Sequence, residues 1–480
     1  MSKSIGTECY KEKKENKSKK KHFDWSCLNP QEIFNLCKRD MLEESDVIRR
    51  GRNIPDSLKF DPKSDSAFFF GKENTGQYVG KKANFDGHIL VTGGTGSWKT
   101  INNARTTIFV WKGTIFLFDF KGDLIYFAKM RNSKILYLIR GHKNRYYFNP
   151  FSVFKSKDDE DLAQRAQELS NAIIPLSCNA SEPFWIEAAR NVLAGALLYF
   201  YRLGSSFIEA MIEIKTQPLS ELLKKITTDK LAGVLINRDL ELNPKTLSGV
   251  SMELHNHIAV FATDTLIQEV LSSSDDDYKE QITWEDLENQ DVFIRIDQSK
   301  VDQWGGVIRL LLIQLIRTLE RRPEKYDSES HGIKPTLLLL DEFPQYGKID
   351  ILTSSLKTLR SKKVTFALFC QSLADLDETY GKDTRRSILD NCPYKVILRA
   401  ADAETQQYFS DLVGMVKVPS MGISFQHSVS REPDGYSLNI SETMQPIIFP
   451  HEFGALDDVI LLCPEPERFC RLEKETRYRN

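Results

Sequence analysis

No stretch constrains this chain more than His88 to Ala104, HILVTGGTGSWKTINNA. It opens on the apolar run His88–Val91, which reads as a buried strand. A glycine-rich loop follows, Gly93-Gly94-Thr95-Gly96-Ser97-Trp98-Lys99-Thr100, and then a polar, uncharged segment of helical reading. Strand, glycine loop, Lys-Thr and helix together make the phosphate-binding arrangement called a P-loop. Small residues let backbone N–H groups turn inward as an anion nest, and the helix N-terminus adds partial positive charge. Lys99 is then the cation for β- and γ-phosphates, and Thr100 offers its hydroxyl to Mg²⁺. The expected ligands are ATP and Mg²⁺. One position departs from G-x-x-x-x-G-K-[ST]: Trp98 stands where the pattern has glycine, a residue used there for backbone freedom and close approach. An indole at that point either pinches the loop or stacks outward on a base or a neighbouring subunit.

A second feature answers the first. Thr336-Leu337-Leu338-Leu339-Leu340-Asp341-Glu342-Phe343 reads as a central parallel strand buried on both faces, with two carboxylates at its tip. In P-loop ATPases such a strand holds Mg²⁺, here through Asp341, and orients or deprotonates the attacking water, here through Glu342. Val364–Gln371 is a further buried strand. Its terminal amide, Gln371, suits sensing of the γ-phosphate or positioning of water; an ordinary strand-end glutamine is the alternative.

The rest of the text supports an α/β fold interrupted by helices. Residues 1–24 are lysine-rich (Lys11, Lys13, Lys14, Lys17, Lys19, Lys20, Lys21) and read as a disordered basic tail, or else as an arm for anionic lipid or DNA. Residues 25–85 open helically at Trp25–Arg52, then turn to loops and edge strands with an aromatic run at Phe68–Phe70. The first part of the nucleotide-binding domain spans 86–155. It contains the strand Thr114–Asp119, which ends in Phe120-Lys121-Gly122-Asp123, and another strand around Ile135–Ile139; Tyr146–Pro150 breaks the pattern. Residues 156–289 show helical periodicity only, as in Leu162, Ala166, Leu169 and Ile173, with no strand signal until Val292. They read as an inserted all-α domain. Over 290–416 the α/β pattern resumes: strand Asp291–Ile296, helix Gly305–Arg322, the two strands above, helix Leu352–Lys362, a turn at Ile388–Asn391, strand Tyr394–Arg399 and helix Ala403–Val413. Residues 417–480 read as a loop-rich segment packing on the nucleotide-binding domain, with a short strand at Val459–Cys463.

Composition removes several classes. With 480 residues the chain has ample length for a large core. A net charge of −2 provides no whole-molecule field for nucleic acid, so any DNA contact must use local basic patches. Eight scattered cysteines without a C-x-x-C pair argue against a disulfide framework or zinc site and fit a reducing compartment. The longest apolar segments, Val192–Tyr201 and Leu310–Ile316, fall short of the ~18 residues a spanning helix needs. A soluble chain without a signal peptide is the expectation.

Taken in order, these motifs are recognisable. From about Phe68 to Asn480 the chain resembles the TraG/TraD family of type IV coupling proteins, the conjugative DNA-transfer ATPases. The resemblance rests on His88–Thr100, Phe118–Asp123, Tyr147–Pro150, Phe184–Arg190, Leu337–Phe343, Cys370–Leu376, Tyr380–Asp383, Ile388–Cys392, Ser441–Pro450 and Leu461–Pro466. It implies a RecA-like P-loop NTPase domain with a mostly parallel central sheet, interrupted by an all-α domain used for substrate recognition. It also implies a homo-hexameric ring at the inner face of a bacterial secretion channel, recruiting a relaxase–DNA complex or effector proteins. Members commonly begin with transmembrane helices; this chain has none, so a cytoplasmic, peripheral protein that reaches the membrane through a partner is expected.

Ring ATPases place sites between subunits, and a neighbour inserts an arginine. Arg360 is the leading candidate for that arginine, with Arg385 and Arg386 behind it. DNA, single-stranded by expectation, would be held through its phosphates without base readout. Lys357, Lys362 and Lys363 form a basic cluster suited to that, or else a solvated helix end. Two other readings remain: a docking platform that binds nucleotide poorly, and an FtsK-type translocase, which shares the core but is disfavoured by the helical insertion.

Overall fold

The computed structural model describes residues 51, 53–155, 158–175, 183–236, 244–273, 279–427, 433–464 and 469–475. The basic tail and the helix expected from Trp25 lie outside the described residues. The described chain forms two compact units, one of residues 53–408 and 450–475, the other within 409–449.

In the larger unit, β1 (Lys59–Phe60), β2 (Ala67–Lys72) and β3 (Tyr78–Lys82) make a small antiparallel sheet in the order β1-β3-β2. The strands that follow are β4 (Ile89–Gly93), β5 (Thr114–Asp119), β6 (Lys134–Leu138), β7 (Tyr146–Phe148), β8 (Glu280–Ile282), β9 (Val292–Ile296), β10 (Thr336–Leu340), β11 (Val364–Cys370) and β12 (Tyr394–Arg399). In the smaller unit β13 (Met415–His427) pairs with β14 (Pro433–Pro446); the larger unit then adds β15 (Val459–Leu462) and β16 (Cys470–Leu472). The main sheet has the order β16-β15-β12-β4-β11-β10-β5-β9-β6. From β12 to β6 every pairing is parallel, and β15 and β16 run antiparallel at one edge.

Period-two alternation divides the core in two. Leu338 and Leu340 share one core with Phe116, Phe118, Leu136 and Leu138, while Leu337 and Leu339 share the other with Ile115, Leu117, Ala367 and Val396. That is why the leucine run has no polar member: each successive side chain enters a different, equally dry layer. The first layer also holds Val192 and Leu193 from the helix Pro183–Arg202 and Leu311 and Leu315 from the helix Val301–Glu320.

Between β7 and β8 the described elements are helices, including Asp159–Ile173, Phe207–Thr216, Leu219–Ile226 and Pro244–Thr263. Three expectations need correction. The Tyr146–Phe148 stretch is a strand, paired in parallel with β8, so strand structure returns before Val292. Three residues, two of them Glu280 and Gln281, are too short and too polar to show a period. Ile388–Asn391 is no turn but the end of a helix, Lys382–Asn391, in which Ile388 and Leu389 are buried. The segment after Lys417 is not loop-rich at first: β13 and β14 form a long hairpin whose Gly, Ser, Asn and Pro content masks its strand character.

Candidate active site

Four adjacent parallel strands, β4, β11, β10 and β5, end at one edge of the sheet, and their following loops meet there. This is the edge at which open α/β sheets bind ligands. It is how Thr100 and Asp341, 241 positions apart, come into hydrogen-bond contact: the Thr100 hydroxyl donates to Asp341 Oδ2 at 3.0 Å.

The loop after β4 is built for close approach. A side chain at Gly93 would meet the Ser97 hydroxyl at 2.4 Å. Gly96 has φ +75°. Trp98 has φ 72°, the left-handed region that explains why glycine is the usual residue there. The indole is 37% exposed and leaves open a cavity of about 340 Å³ over the loop. The cavity is lined by residues from Gly94 to Ile101 with Lys121, Asp123, Glu342 and Gln371. The polar segment after the loop is a wide helical turn, Thr100–Arg105. The uncharged character of Ile101–Ala104 has a reason: Asn102 and Asn103 are buried and donate to the Phe69 and Phe70 carbonyls of β2.

Around the cavity Lys99, Lys121 and Glu342 are linked as ions. Lys99 Nζ lies 3.2 Å from Glu342 Oε1 and 3.3 Å from the Gly93 carbonyl. Lys121 Nζ lies 2.9 Å from the same Glu342 oxygen. Gln371 donates to Glu342 Oε2 at 3.1 Å and accepts from Thr95 Oγ1 at 3.4 Å. Glu342 itself takes a left-handed conformation, φ 49° and ψ 46°, which costs about 1–3 kcal/mol and so must be held by its surroundings. Its backbone N–H donates to Asp341 Oδ1. Burial and then the Glu342 charge push the Asp341 carboxyl up. Burial also acts upward on Glu342, but the Lys99 charge and the hydrogen bonds from Lys121 and Gln371 outweigh it and hold its carboxyl below the usual value.

The sheet edge therefore brings together Gly94, Thr95, Gly96, Ser97, Trp98, Lys99, Thr100, Asp341, Glu342 and Gln371, with Gly93 closing β4 beneath them. The arginines lie elsewhere. Arg360 is exposed in the turn after the helix Leu352–Thr358, beside His88 at the amino end of β4. Arg385 is buried, 3.0 Å from Asp377 and 3.6 Å from Glu404. Arg386 is exposed and pairs with Asp383. Lys362 pairs with Glu324 and Lys363 donates to the Ser330 carbonyl, so only Lys357 of that trio extends from an exposed helix position. Lys121 was missed. The available signal was its place two residues past a buried strand, on the edge where the other loops converge.

Residues 39–463 match the family described as "Type IV secretory system Conjugative DNA transfer". The chain belongs to that family. Within it, the chain is 23% identical over 399 residues to protein VirD4 of Rhizobium rhizogenes, covering 79% of this chain and 57% of that one. It is 22% identical over 451 residues to the conjugal transfer protein TraG of Escherichia coli, covering 86% and 69%. The chain thus spans little more than half the length of the Rhizobium and Agrobacterium VirD4 proteins it matches. Among solved structures, plasmid coupling protein TrwB in complex with the non-hydrolysable ATP analogue ADPNP superposes with a TM-score of 0.66 at 14% identity, over 90% of this chain and 92% of that one. TrwB in complex with ADP and Mg²⁺ gives 0.63 at 16%, over 81% and 84%. The fold is the RecA-like P-loop NTPase fold of TrwB, a mostly parallel sheet with many helices.

Proposed function

We propose that the chain is an ATP-dependent coupling protein of a bacterial conjugation or type IV secretion system, recruiting a DNA–relaxase or protein substrate and driving it into the transfer channel. The observation that carries this reading is the Lys99–Glu342 pair on the cavity wall, beside Thr100, whose hydroxyl bonds Asp341 just behind that wall. Family membership supports it, as do the likeness to a conjugal transfer protein and to TrwB bound to an ATP analogue or to ADP and Mg²⁺.

The residues fit the ligands required. The buried Ser97 hydroxyl has no hydrogen-bond partner in its loop, as an anion site would leave it. Asp341 and Thr100 offer a carboxylate and a hydroxyl side by side, the hard oxygen donors Mg²⁺ takes together with phosphates and waters. Bound there, Mg²⁺ would neutralise charge between the β- and γ-phosphates. Lys99 would exchange Glu342 for phosphate oxygens. Glu342, already ionised, would then accept a proton from the water whose oxygen attacks the γ-phosphorus as ADP departs. Gln371, holding one Glu342 oxygen, would couple that carboxylate to the state of the loop through Thr95. In this reading the helices from Asp159 to Leu271 form the inserted recognition domain, six copies make a ring, and Arg360 of a neighbour completes each site.

Among the described residues no helix is long and apolar enough to cross a membrane. A cytoplasmic protein held at the inner face of the membrane by another channel component accords with this reading.

The test is steady ATP turnover with and without single- and double-stranded DNA, alongside the mass of the assembly. Turnover that rises with DNA and a hexameric mass are expected. Turnover indifferent to Lys99→Ala and Glu342→Gln defeats the proposal.

A further inference from the structure

The stretch Phe118-Asp119-Phe120-Lys121-Gly122-Asp123 has no part in the chemistry above, yet its geometry is closely specified. Asp119 ends β5 and its carboxylate accepts from three backbone N–H groups, those of Gly122 at 2.6 Å, Leu124 at 3.0 Å and Ile125 at 2.9 Å. Gly122 turns the chain at φ +88°, and a side chain there would meet the Arg295 guanidinium at 3.0 Å. Arg295 in turn donates to the Asp119 and Phe120 carbonyls at 2.9 and 2.6 Å. Two residues of this stretch line the cavity, Lys121 and Asp123, and of the two it is Lys121 that bonds Glu342 Oε1. So much local fixing of one lysine is unexplained by stability, since its side chain is 44% exposed and belongs to no core.

Glu342 Oε1 is shared by two ammonium groups from different loops. Lys99 belongs to the phosphate loop, and phosphate draws its charge away. Lys121 stands on a separate, pinned loop. We propose that Lys121 is the positioning residue of Glu342: once nucleotide takes Lys99, Lys121 and Gln371 together keep the carboxylate in its left-handed backbone setting and aimed at water. This rests on the ATPase reading above. Lys121 acts through Glu342, not on phosphate.

Three variants test it, Lys121→Met, Lys121→Arg and Lys121→Met combined with Glu342→Gln, each checked for an unchanged melting temperature. Two readouts are taken: kcat and KM for ATP, and equilibrium affinity for ATP and ADP in EDTA, without divalent cation. For Lys121→Met, kcat falls roughly tenfold or more while KM and both metal-free affinities stay within about threefold. Lys121→Arg, which keeps a cation within reach, recovers most of kcat. In the Glu342→Gln background Lys121→Met adds little, the non-additivity of two residues acting as one. The inference is overturned if Lys121→Met weakens ATP far more than ADP, which makes Lys121 a γ-phosphate ligand. It is equally overturned if arginine rescues nothing or if the two losses multiply. A wild type that binds ADP yet turns over no ATP sinks the motor reading and this inference with it; a wild type that turns over beside an equally active Lys121→Met sinks only the inference.

Discussion

The two ends of β4 handle ionisable groups in opposite ways. At the carboxyl end, Lys99, Lys121 and Glu342 are paired as ions around an opening. At the amino end, Lys81 and His88 are fully buried among neutral partners. Lys81 donates to Thr365 Oγ1 at 2.9 Å. His88 bonds the Leu356 carbonyl through Nε2 at 2.7 Å and accepts from the Phe366 N–H through Nδ1 at 3.1 Å, which fixes the Nε2–H neutral tautomer. Burial pushes the Lys81 amine down to about 7 and the His88 imidazole down to about 3. Burial of an ionisable group therefore does not by itself mark a site. What separates the two ends is mutual charge compensation beside a cavity, a costly arrangement to hold without a ligand to receive it.

The comparison breaks most sharply if the charges at the carboxyl end prove dispensable. Glu342→Gln keeps the shape and the Gln371 contact but removes the carboxylate proposed as proton acceptor, and turnover should fall ~10²-fold or more with nucleotide still bound. Lys99→Ala should abolish binding itself. Titration of each variant with ATP, followed by turnover at saturation, separates the two effects. Equal loss of affinity in both variants would mean that Glu342 is a structural partner of Lys99 only.

The amino end should show itself through pH and stability, with activity untouched. Lys81 binds its proton less tightly folded than unfolded, so between pH 7 and 10.5 the unfolded chain carries more protons and stability rises with pH. The slope from this group approaches ~1.4 kcal/mol per pH unit. Lys81→Met, measured against wild type by denaturant unfolding between pH 7 and 8.5, should remove that rise. The facing groups Asp86 and Lys325, themselves ion-paired, remain in both proteins and cancel in the difference. An identical slope in both would mean that Lys81 keeps its charge in the fold.

His88 acts in the acid range with the same sign. The unfolded chain protonates its histidine near pH 6.5 and the folded chain only near 3, so stability is lost as pH falls through that window. His88→Gln, which can still donate to Leu356, should flatten this acid limb at a cost of roughly 1–2 kcal/mol at neutral pH from the lost Phe366 bond. The charges nearest to it, Lys81, Arg360 and Asp86, stay in place.

How much of this was legible follows the same division. The P-loop, the leucine strand with Asp341 and Glu342, and Gln371 were readable because each is a local pattern whose position in a parallel sheet is fixed by general rules. Lys121 was not, since nothing in Phe120-Lys121-Gly122 distinguishes a lysine aimed into a cavity from one aimed at water; the Asp119 and Arg295 bonds decide it. His88 was readable as the start of a strand but not as a buried neutral bridge, because its partners Leu356 and Phe366 are set by tertiary packing. The β7–β8 pair and the β13–β14 hairpin escaped for a different reason: β7 is only Tyr146–Phe148, cut short by Asn149-Pro150 and paired with the polar Glu280–Ile282, and the strand formers of β13 and β14 are interrupted by Pro, Gly, Ser and Asn.

Trp98 offers the smallest effect and the finest distinction. Its φ of 72° is a conformation that costs a non-glycine residue ~1–2 kcal/mol. Trp98→Gly removes that strain but widens the unfolded ensemble, which returns about 0.4–1 kcal/mol in the other direction. The net expectation is a gain in unfolding free energy between about zero and about 1.6 kcal/mol. The informative readout is nucleotide affinity measured on the same variant. An indole that merely tolerates its place leaves ATP binding unchanged on replacement. An indole that stacks on the bound base, as its position on the cavity wall allows, loses affinity when removed, even as the protein becomes more stable. Loss of binding with a gain in stability would thus make the departure from glycine a ligand contact retained at the expense of the fold.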